Sequence, residues 1–296
     1  RPLIEDLDTL PFLDYEVFNY HELANYVDFK QLVFMASRGC PYQCTYCCNH
    51  SLKKLYPNQE KYVRFKTPGR FIEEIKDGLK RYPNVESLRF FDDTLTLNKD
   101  FFIPFANLYK KEVGRPYSCN DRANQITREI AEKFKESGCA SIDIGIESGN
   151  EKIRNVVMKR HMKTEQIINA FKMLKDVGII GSAFNIIGVP GETMSSVLET
   201  AKLNAIAKPT NYINAYFNAF QGTDLYCFCK ENNIEIDDVG SSLFEKPTVF
   251  INTMTTDQLK FAFKYFPLLV LFYKCVYYLP QAIIPTVDHF IERLLS

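Results

Sequence analysis

The sequence predicts an α/β protein built on one parallel sheet, and three observations lead there. Short β-branched or aromatic runs alternate six times with longer amphipathic runs between Gln31 and Asn232. Each connection is long enough to hold a crossover helix, which parallel neighbours require. With 296 residues, 46% of them hydrophobic, the chain can bury one large core and carry a smaller appendage. By pattern alone the sheet is either doubly wound or curled into part of a barrel.

The strand candidates, in order, are Leu32 to Ser37, Val85 to Phe91, Tyr117 to Asn120, Ala140 to Ile146, Ser182 to Ile187 and Tyr212 to Phe217. The helix candidates are Gly69 to Tyr82, Lys99 to Val113, Thr127 to Ser137, Thr164 to Val177, Thr193 to Ala207 and Asp224 to Asn232. Thr164 is placed to cap its helix, and Gly138 and Gly178 fall where helices should stop. Residues 1–30, with Pro2, Pro11 and many acids, suit an extended linker on a domain surface. Residues 31–222 form the sheet domain, and 223–296 a mainly helical extension rich in Phe, Tyr and Leu. Either sheet geometry puts the active site at the carboxyl ends of the strands.

Charge and composition narrow the function. The 36 basic and 36 acidic side chains cancel, so nothing favours a nucleic-acid backbone as partner. No apolar run reaches the roughly 20 residues of a membrane span. The longest, Phe266 to Tyr273, is flanked by Lys264 and Lys274 and reads as a buried helix or an interface. The opening Arg1-Pro2-Leu3-Ile4 lacks the plan of a signal peptide and reads as a start from which an upstream segment was removed. Four of the nine cysteines crowd between residues 40 and 48, which points to metal binding in a reducing compartment, with the cytoplasm as default, rather than to disulfides.

Those cysteines follow the first strand candidate in Ser37-Arg38-Gly39-Cys40-Pro41-Tyr42-Gln43-Cys44-Thr45-Tyr46-Cys47-Cys48-Asn49-His50, a CxxxCxxC spacing. Soft thiolates select zinc, copper(I) or iron–sulfur clusters. Three thiolates leave one iron of a four-iron cluster open to a substrate. A structural zinc site completed by Cys48 or His50 is the competing reading, and it lacks the second CxxC-like element such sites normally use.

This spacing, with Tyr46 before the last cysteine, resembles the radical S-adenosylmethionine (SAM) superfamily. The resemblance implies a partial (β/α)6 TIM-like barrel of parallel strands with a C-terminal helical extension. It implies a 4Fe-4S cluster on Cys40, Cys44 and Cys47, with SAM chelating the open iron and cleaved reductively to a 5′-deoxyadenosyl radical. Further motifs stand at the later strand ends. Phe91-Asp92-Asp93 departs from the family's glycine-and-glutamate form toward the subset with a cobalamin-binding domain. Asn120 and Arg122 follow the third strand. Asp143-Ile144-Gly145-Ile146-Glu147-Ser148-Gly149 closely matches a family signature and implies cofactor contact by Glu147 and Ser148. Arg160 stands where relatives set an arginine against the cofactor carboxylate. In Asn185-Ile186-Ile187-Gly188-Val189-Pro190-Gly191-Glu192-Thr193, Ile187 is expected against the adenine and Asn185 near the ribose, although the turn closed by Glu192 and Thr193 needs no ligand. Tyr46 and Phe217 complete the expected cofactor set; no catalytic residue is assigned.

The motifs run from about Leu32 to Thr223. The opening segment resembles the connector after a cobalamin-binding domain in a class that includes methyltransferases and tetrapyrrole cyclases. That implies cobalamin on a domain absent from this chain, a small-molecule substrate, and a reducing electron donor such as flavodoxin or ferredoxin. Two alternatives are carried: a radical enzyme modifying transfer RNA, against which stand the neutral charge and the lack of an RNA-binding module, and a zinc-binding structural module.

Overall fold

The structure is a computed structural model that describes residues 2–18, 30–237, 242–279 and 284–295. Six strands form one sheet: β1 (Gln31–Phe34), β4 (Ser87–Phe90), β5 (Tyr117–Asp121), β6 (Cys139–Glu147), β7 (Ile180–Ile187) and β8 (Asn211–Tyr216). Their order in the sheet is their order in the chain, and the pairs β1 with β4, β4 with β5 and β7 with β8 are parallel. A doubly wound sheet reverses direction at a switch point. This one never reverses, so it is the singly wound sheet of a partial barrel.

The predicted strands and helices are all present, with shifted ends. The first strand stops at Phe34 instead of Ser37, because the buried Asp92 carboxylate accepts the N–H groups of Ala36 (3.1 Å) and Ser37 (2.6 Å) and bends the chain away. Ser37–Arg38 (β2) then pairs antiparallel with Arg64–Phe65 (β3). The crossover helices are α2 (Pro68–Arg81), α3 (Lys99–Glu112), α4 (Arg128–Glu136), α5 (Thr164–Asp176) and α6 (Met194–Ala207), with α7 (Asp224–Glu231) after the last strand. Thr67, Asn98, Thr127, Thr193 and Thr223 cap α2, α3, α4, α6 and α7 with their side chains. Gly138 and Gly178 stop α4 and α5 with φ of +89° and +71°. Thr164 is the first residue of its helix rather than its cap, and its hydroxyl meets Glu151 and Arg154. Two elements had no periodic signal: the six-residue helix α1 (Cys48–Lys53) and the π-helix Ile153–Val157.

The chain packs as two compact units. The first comprises Arg1–Pro41, Tyr56–Asp143 and Met173–Ile180. Along β1, β4, β5 and the start of β6, alternate residues are sealed: Leu32, Phe34, Leu88, Phe90, Tyr117, Cys119 and Ile142. They meet the aromatic faces of α2 and α3, where Phe71 lies 5.5 Å from Phe90 and Phe101 stacks on Phe105. The other face of the same strands carries Gln31, Ser87, Arg89, Ser118, Asn120 and Asp143, all half-buried. Within residues 2–18, Asp8 accepts from the Thr67 N–H and Tyr15 donates to the Val33 carbonyl, so this segment is tied to the unit's surface.

The second unit comprises Tyr42–Leu55, Ile144–Lys172 and Gly181–Ser296. Its core joins β7, β8 and α6 to the long helix α8 (Thr256–Val276), where Tyr216 stacks on Phe263 at 4.2 Å. The aromatic C-terminal segment is therefore core packing along Leu259, Ala262, Phe266, Val270 and Tyr273. Among the described residues, no helix is long and apolar enough to cross a membrane. A two-residue ladder of Glu235–Ile236 (β9) with Val249–Phe250 (β10) and helix α9 (Ile284–Leu295) complete the described elements.

Phe90 sits fully buried among Phe71, Phe105, Tyr109 and Tyr117, one residue before the half-exposed Phe91. Phe90→Ala is expected to cost about 3–5 kcal/mol of unfolding free energy, read as a lowered denaturant midpoint with an unchanged slope.

Candidate metal and cofactor centre

The cysteine loop starts at a forced glycine. Gly39 has φ +84°, and a Cβ there would collide with the Tyr62 carbonyl oxygen and lie 2.8 Å from its ring. Only glycine fits the turn that delivers Cys40. Farther on, buried Thr45 anchors the loop: its N–H donates to the Met158 carbonyl (3.2 Å), its hydroxyl to the Val157 carbonyl (2.7 Å), and its own carbonyl accepts from the Leu225 N–H (3.0 Å). The Cys47 N–H closes a turn onto the Cys44 carbonyl, and Cys47 then caps the start of α1. Cys44 is buried, Cys40 and Cys47 are half-buried and Cys48 is exposed, all as free thiols.

Tyr46 places the loop against the end of β6. Its hydroxyl donates to Glu147 Oε1 (3.0 Å) and accepts from Arg160 Nη1 (2.9 Å), while Arg160 Nη2 donates to the Gly145 carbonyl (2.6 Å). Arg160 and Glu147 face each other at 3.4 Å, both buried. Burial pushes the Tyr46 phenol well above its ordinary range, so it stays a hydroxyl donor. Burial works against the Arg160 charge, but Tyr46, Glu147 and Cys44 outweigh it and raise its pKa. Glu147 has φ +65°, left-handed backbone that a side-chain-bearing residue rarely adopts without compensation. A Cβ on Gly145 would overlap the Glu147 carboxylate and approach Arg160 Nη2 to 2.8 Å, so glycine is what lets both side chains fold across the strand.

Arg154, absent from the sequence reading, holds the segment that carries Ser148 and Arg160. Fully buried, it donates to the carbonyls of Ser148 (2.8 Å), Gly149 (3.1 Å) and Met162 (3.0 Å) and to the Thr164 hydroxyl (2.9 Å), and it meets Glu151. Its own carbonyl accepts from the Arg160 N–H. An arginine with five hydrogen-bonding directions suits this role.

The structure distributes the remaining expected cofactor residues unevenly. Asp92 has no open face: one carboxylate oxygen takes Ala36 N–H, the other takes Ser37 N–H and its hydroxyl, and burial raises its pKa. Asp93 and Phe91 are exposed. Asn120 binds the Asp92 carbonyl and Arg89. Arg122 is buried with Nε on the Asn124 carbonyl oxygen (3.2 Å). The neighbouring Asp121, not singled out from sequence, accepts from Thr96 N–H and hydroxyl and from Arg122 N–H, and burial lifts its pKa to about 7. Ser148 is buried, with its hydroxyl on the Asn150 N–H. Asn185 lies buried between Asn204 and Asn214. Ile187 and Phe217 lie in the second unit's apolar core. The structure thus brings Tyr46, Glu147 and Arg160 together, while Asn185 and Ile187 stand on the strand face that packs against α6.

The donor chemistry fits an iron–sulfur cluster better than zinc. His50, the candidate fourth zinc ligand, turns its Nε2 to Asp224 at 3.3 Å, and Cys48 points outward. Among the described residues, no three His, Cys, Asp or Glu side chains converge on one ion-sized point, as tetrahedral zinc demands. A cubane binds each thiolate on a different iron and needs no such convergence. When bound, such a cluster with SAM supplies the reductive cleavage that yields a carbon radical. Cys40, Cys44 and Cys47 are the residues that could hold it, with Tyr46, Glu147 and Arg160 beside the loop.

Glu192 closes the turn after β7. Fully buried, it accepts the Gly188 N–H (2.6 Å), and burial lifts its pKa to about 8. A carboxyl raised in the folded state binds more protons there than in the unfolded chain, so its ionisation destabilises the fold as pH rises from about 4.5 through 8. Glu192→Gln is expected to gain stability over the parent chain across that window, by a few kcal/mol at its top, with no gain below pH 4 in paired denaturation curves.

Comparison with known proteins adds an independent finding. Residues 35–203 match the model of the Radical SAM superfamily. A protein named as an uncharacterized methyltransferase, from Pyrococcus horikoshii, is 32% identical over 239 residues, 79% of this chain and 49% of that protein. The anaerobic magnesium-protoporphyrin IX monomethyl ester cyclase of Rubrivivax gelatinosus is 26% identical over 233 residues, 76% of this chain and 40% of the cyclase. The chain therefore spans about half the length or less of these relatives. Among solved structures, the radical SAM methyltransferase TsrM of Kitasatospora setae, with cobalamin and a [4Fe-4S] cluster bound, superposes with a TM-score of 0.59 at 13% identity, covering 75% of this chain and 42% of that one. The cobalamin-dependent SAM radical enzyme OxsB gives a TM-score of 0.61 at 14% identity over 92% of this chain and 47% of its own. At that identity the two structures speak for the fold, and the family rests on the sequence match over more than half of the chain: this protein belongs to the radical SAM superfamily, whose members use a 4Fe-4S cluster and SAM.

Proposed function

We propose that this chain is the catalytic part of a cobalamin-dependent radical SAM enzyme that transfers a methyl group or closes a ring on a small molecule. In this reading Cys40, Cys44 and Cys47 are the thiolate ligands. Tyr46, Glu147 and Arg160 form the wall of the cofactor site, with Ser148 and Asn120 behind it. Arg160 offers a guanidinium suited to a carboxylate, and Glu147 an acceptor suited to an amine or a ribose hydroxyl. The sealed Tyr46 ring excludes water from that side. The carrying observation is the buried hydrogen-bonded triangle that ties the residue before Cys47 to the end of β6.

Methyl transfer and ring formation are supported by the names of the P. horikoshii and R. gelatinosus relatives, and cobalamin by the two structural neighbours. The cobalamin domain is then a separate part of a longer protein, joined through the connector at residues 1–30 to a barrel at 31–222, with 223–296 as its helical extension. A low-potential donor such as flavodoxin or ferredoxin supplies the electron, and the cytoplasm supplies the reducing conditions that keep the thiolates available.

Anaerobic reconstitution with iron and sulfide is expected to load about four irons per chain, and reduction in the presence of SAM to release 5′-deoxyadenosine. Replacing Cys40, Cys44 and Cys47 together by Ala, or Gly39→Ala alone, is expected to cut both iron content and 5′-deoxyadenosine at least tenfold. Zinc as the only bound metal, or unchanged 5′-deoxyadenosine from the triple variant, contradicts the proposal. Cobalamin binding by the full-length protein, and none by a variant lacking the upstream region, tests the subclass.

A further inference from the structure

Parallel sheets are normally apolar on both faces, because helices or a filled barrel cover them. The first unit departs from that on the face away from α2 and α3. There the register sets Val33, Arg89 and Ser118 in one row and Gln31 beside Ser87 in another, and the residues reaching into it are polar or charged. Arg89 is the cation of this face. Its Nη2 donates to Asp143 Oδ2 (2.7 Å) and to Asn120 Oδ1, and its guanidinium lies 5.2 Å from the centroid of Phe91, which is half-exposed.

Both hydrogen bonds use the same nitrogen. The other edge of the fork, Nε and Nη1, meets no hydrogen-bonding partner among the described residues and is not sealed from solvent. That edge is planar and carries two parallel N–H groups, the geometry that pairs with a carboxylate. Asp143 already offsets one charge, which favours a singly charged anion over a doubly charged phosphate. Phe91 adds an apolar surface next to the fork for the rest of the ligand.

The geometry points to Arg89 as a binding residue for a monoanionic carboxylate on a flat or apolar skeleton, with Asp143 and Asn120 as positioning residues that aim its fork. The assignment of that carboxylate to the enzyme's substrate rests on the radical SAM reading above; the carboxylate site itself does not. The methionyl carboxylate of SAM is the other source of the same chemistry, and the test separates the two.

The probe is 2-naphthoate, with neutral 2-naphthamide as its control, in equilibrium dialysis against the reconstituted protein. Naphthoate is expected to bind at least tenfold tighter than naphthamide. Arg89→Gln should lose that preference, Arg89→Lys should keep part of it, because charge remains without the fork, and Asp143→Asn should tighten naphthoate severalfold by removing a competing acid. Equal binding of the two probes, or an Arg89→Gln variant that keeps its naphthoate affinity, overturns the site. SAM dialysis on the same variants assigns the source: SAM affinity that falls in step with naphthoate gives the carboxylate to the cofactor and overturns the substrate assignment. Circular dichroism confirms that each variant is folded, and Arg89→Lys stands in if Arg89→Gln is not. A parent protein that binds naphthoate but never cleaves SAM refutes the radical reading and leaves the carboxylate site standing.

Discussion

The arrangement depends on a buried cation with two partners. Arg160 reaches Tyr46, Glu147 and the Gly145 carbonyl from a segment that Arg154 pins in place. A guanidinium taken out of water is tolerated only when its partners are held in position, and removing one partner of such a set typically costs about 3–5 kcal/mol. The local backbone yields to this demand: Glu147 accepts a left-handed conformation and Gly145 gives up its side chain. Tyr46 lies between two of the cysteines, so the same interaction that neutralises Arg160 fixes the loop carrying Cys44 and Cys47.

A second, independent constraint acts on the approach to that loop. Asp92 gathers the N–H groups of Ala36 and Ser37, ends β1 early, and turns the chain into the short β2 ladder that leads to Gly39 and Cys40. A carboxylate after a strand resembles a ligand-binding acid when read as a motif. Its three internal donors make it a brace for the cysteine loop, and its burial depends on those donors being present.

Most of the architecture was legible because each crossover helix is long enough to be periodic and each strand is bounded by turn or cap residues. The cysteine loop was legible because spacing within a single loop needs no tertiary information. Side-chain direction was not. Ile187 and Asn185 sit in a motif at a strand end, yet a strand sends alternate residues to opposite faces, and theirs is the face packed on α6. Arg154 and Arg89 were overlooked for a related reason: an arginine in a sequence is usually a solvated surface residue, and only the fold reveals that one is buried among carbonyls and the other lies on a polar sheet face. The π-helix and α1 are too short to leave a period.

The central claim is that three thiolates from one loop leave an iron for the amine and carboxylate of SAM, beside Arg160 and Glu147. The most direct measurement is electron–nuclear double resonance on the reduced, reconstituted protein with SAM labelled by ¹⁵N at the amine and ¹³C at the carboxylate. The account predicts hyperfine coupling of both labels to the cluster. SAM that is bound, as shown by dialysis of the same sample, yet gives no coupling from either label contradicts it.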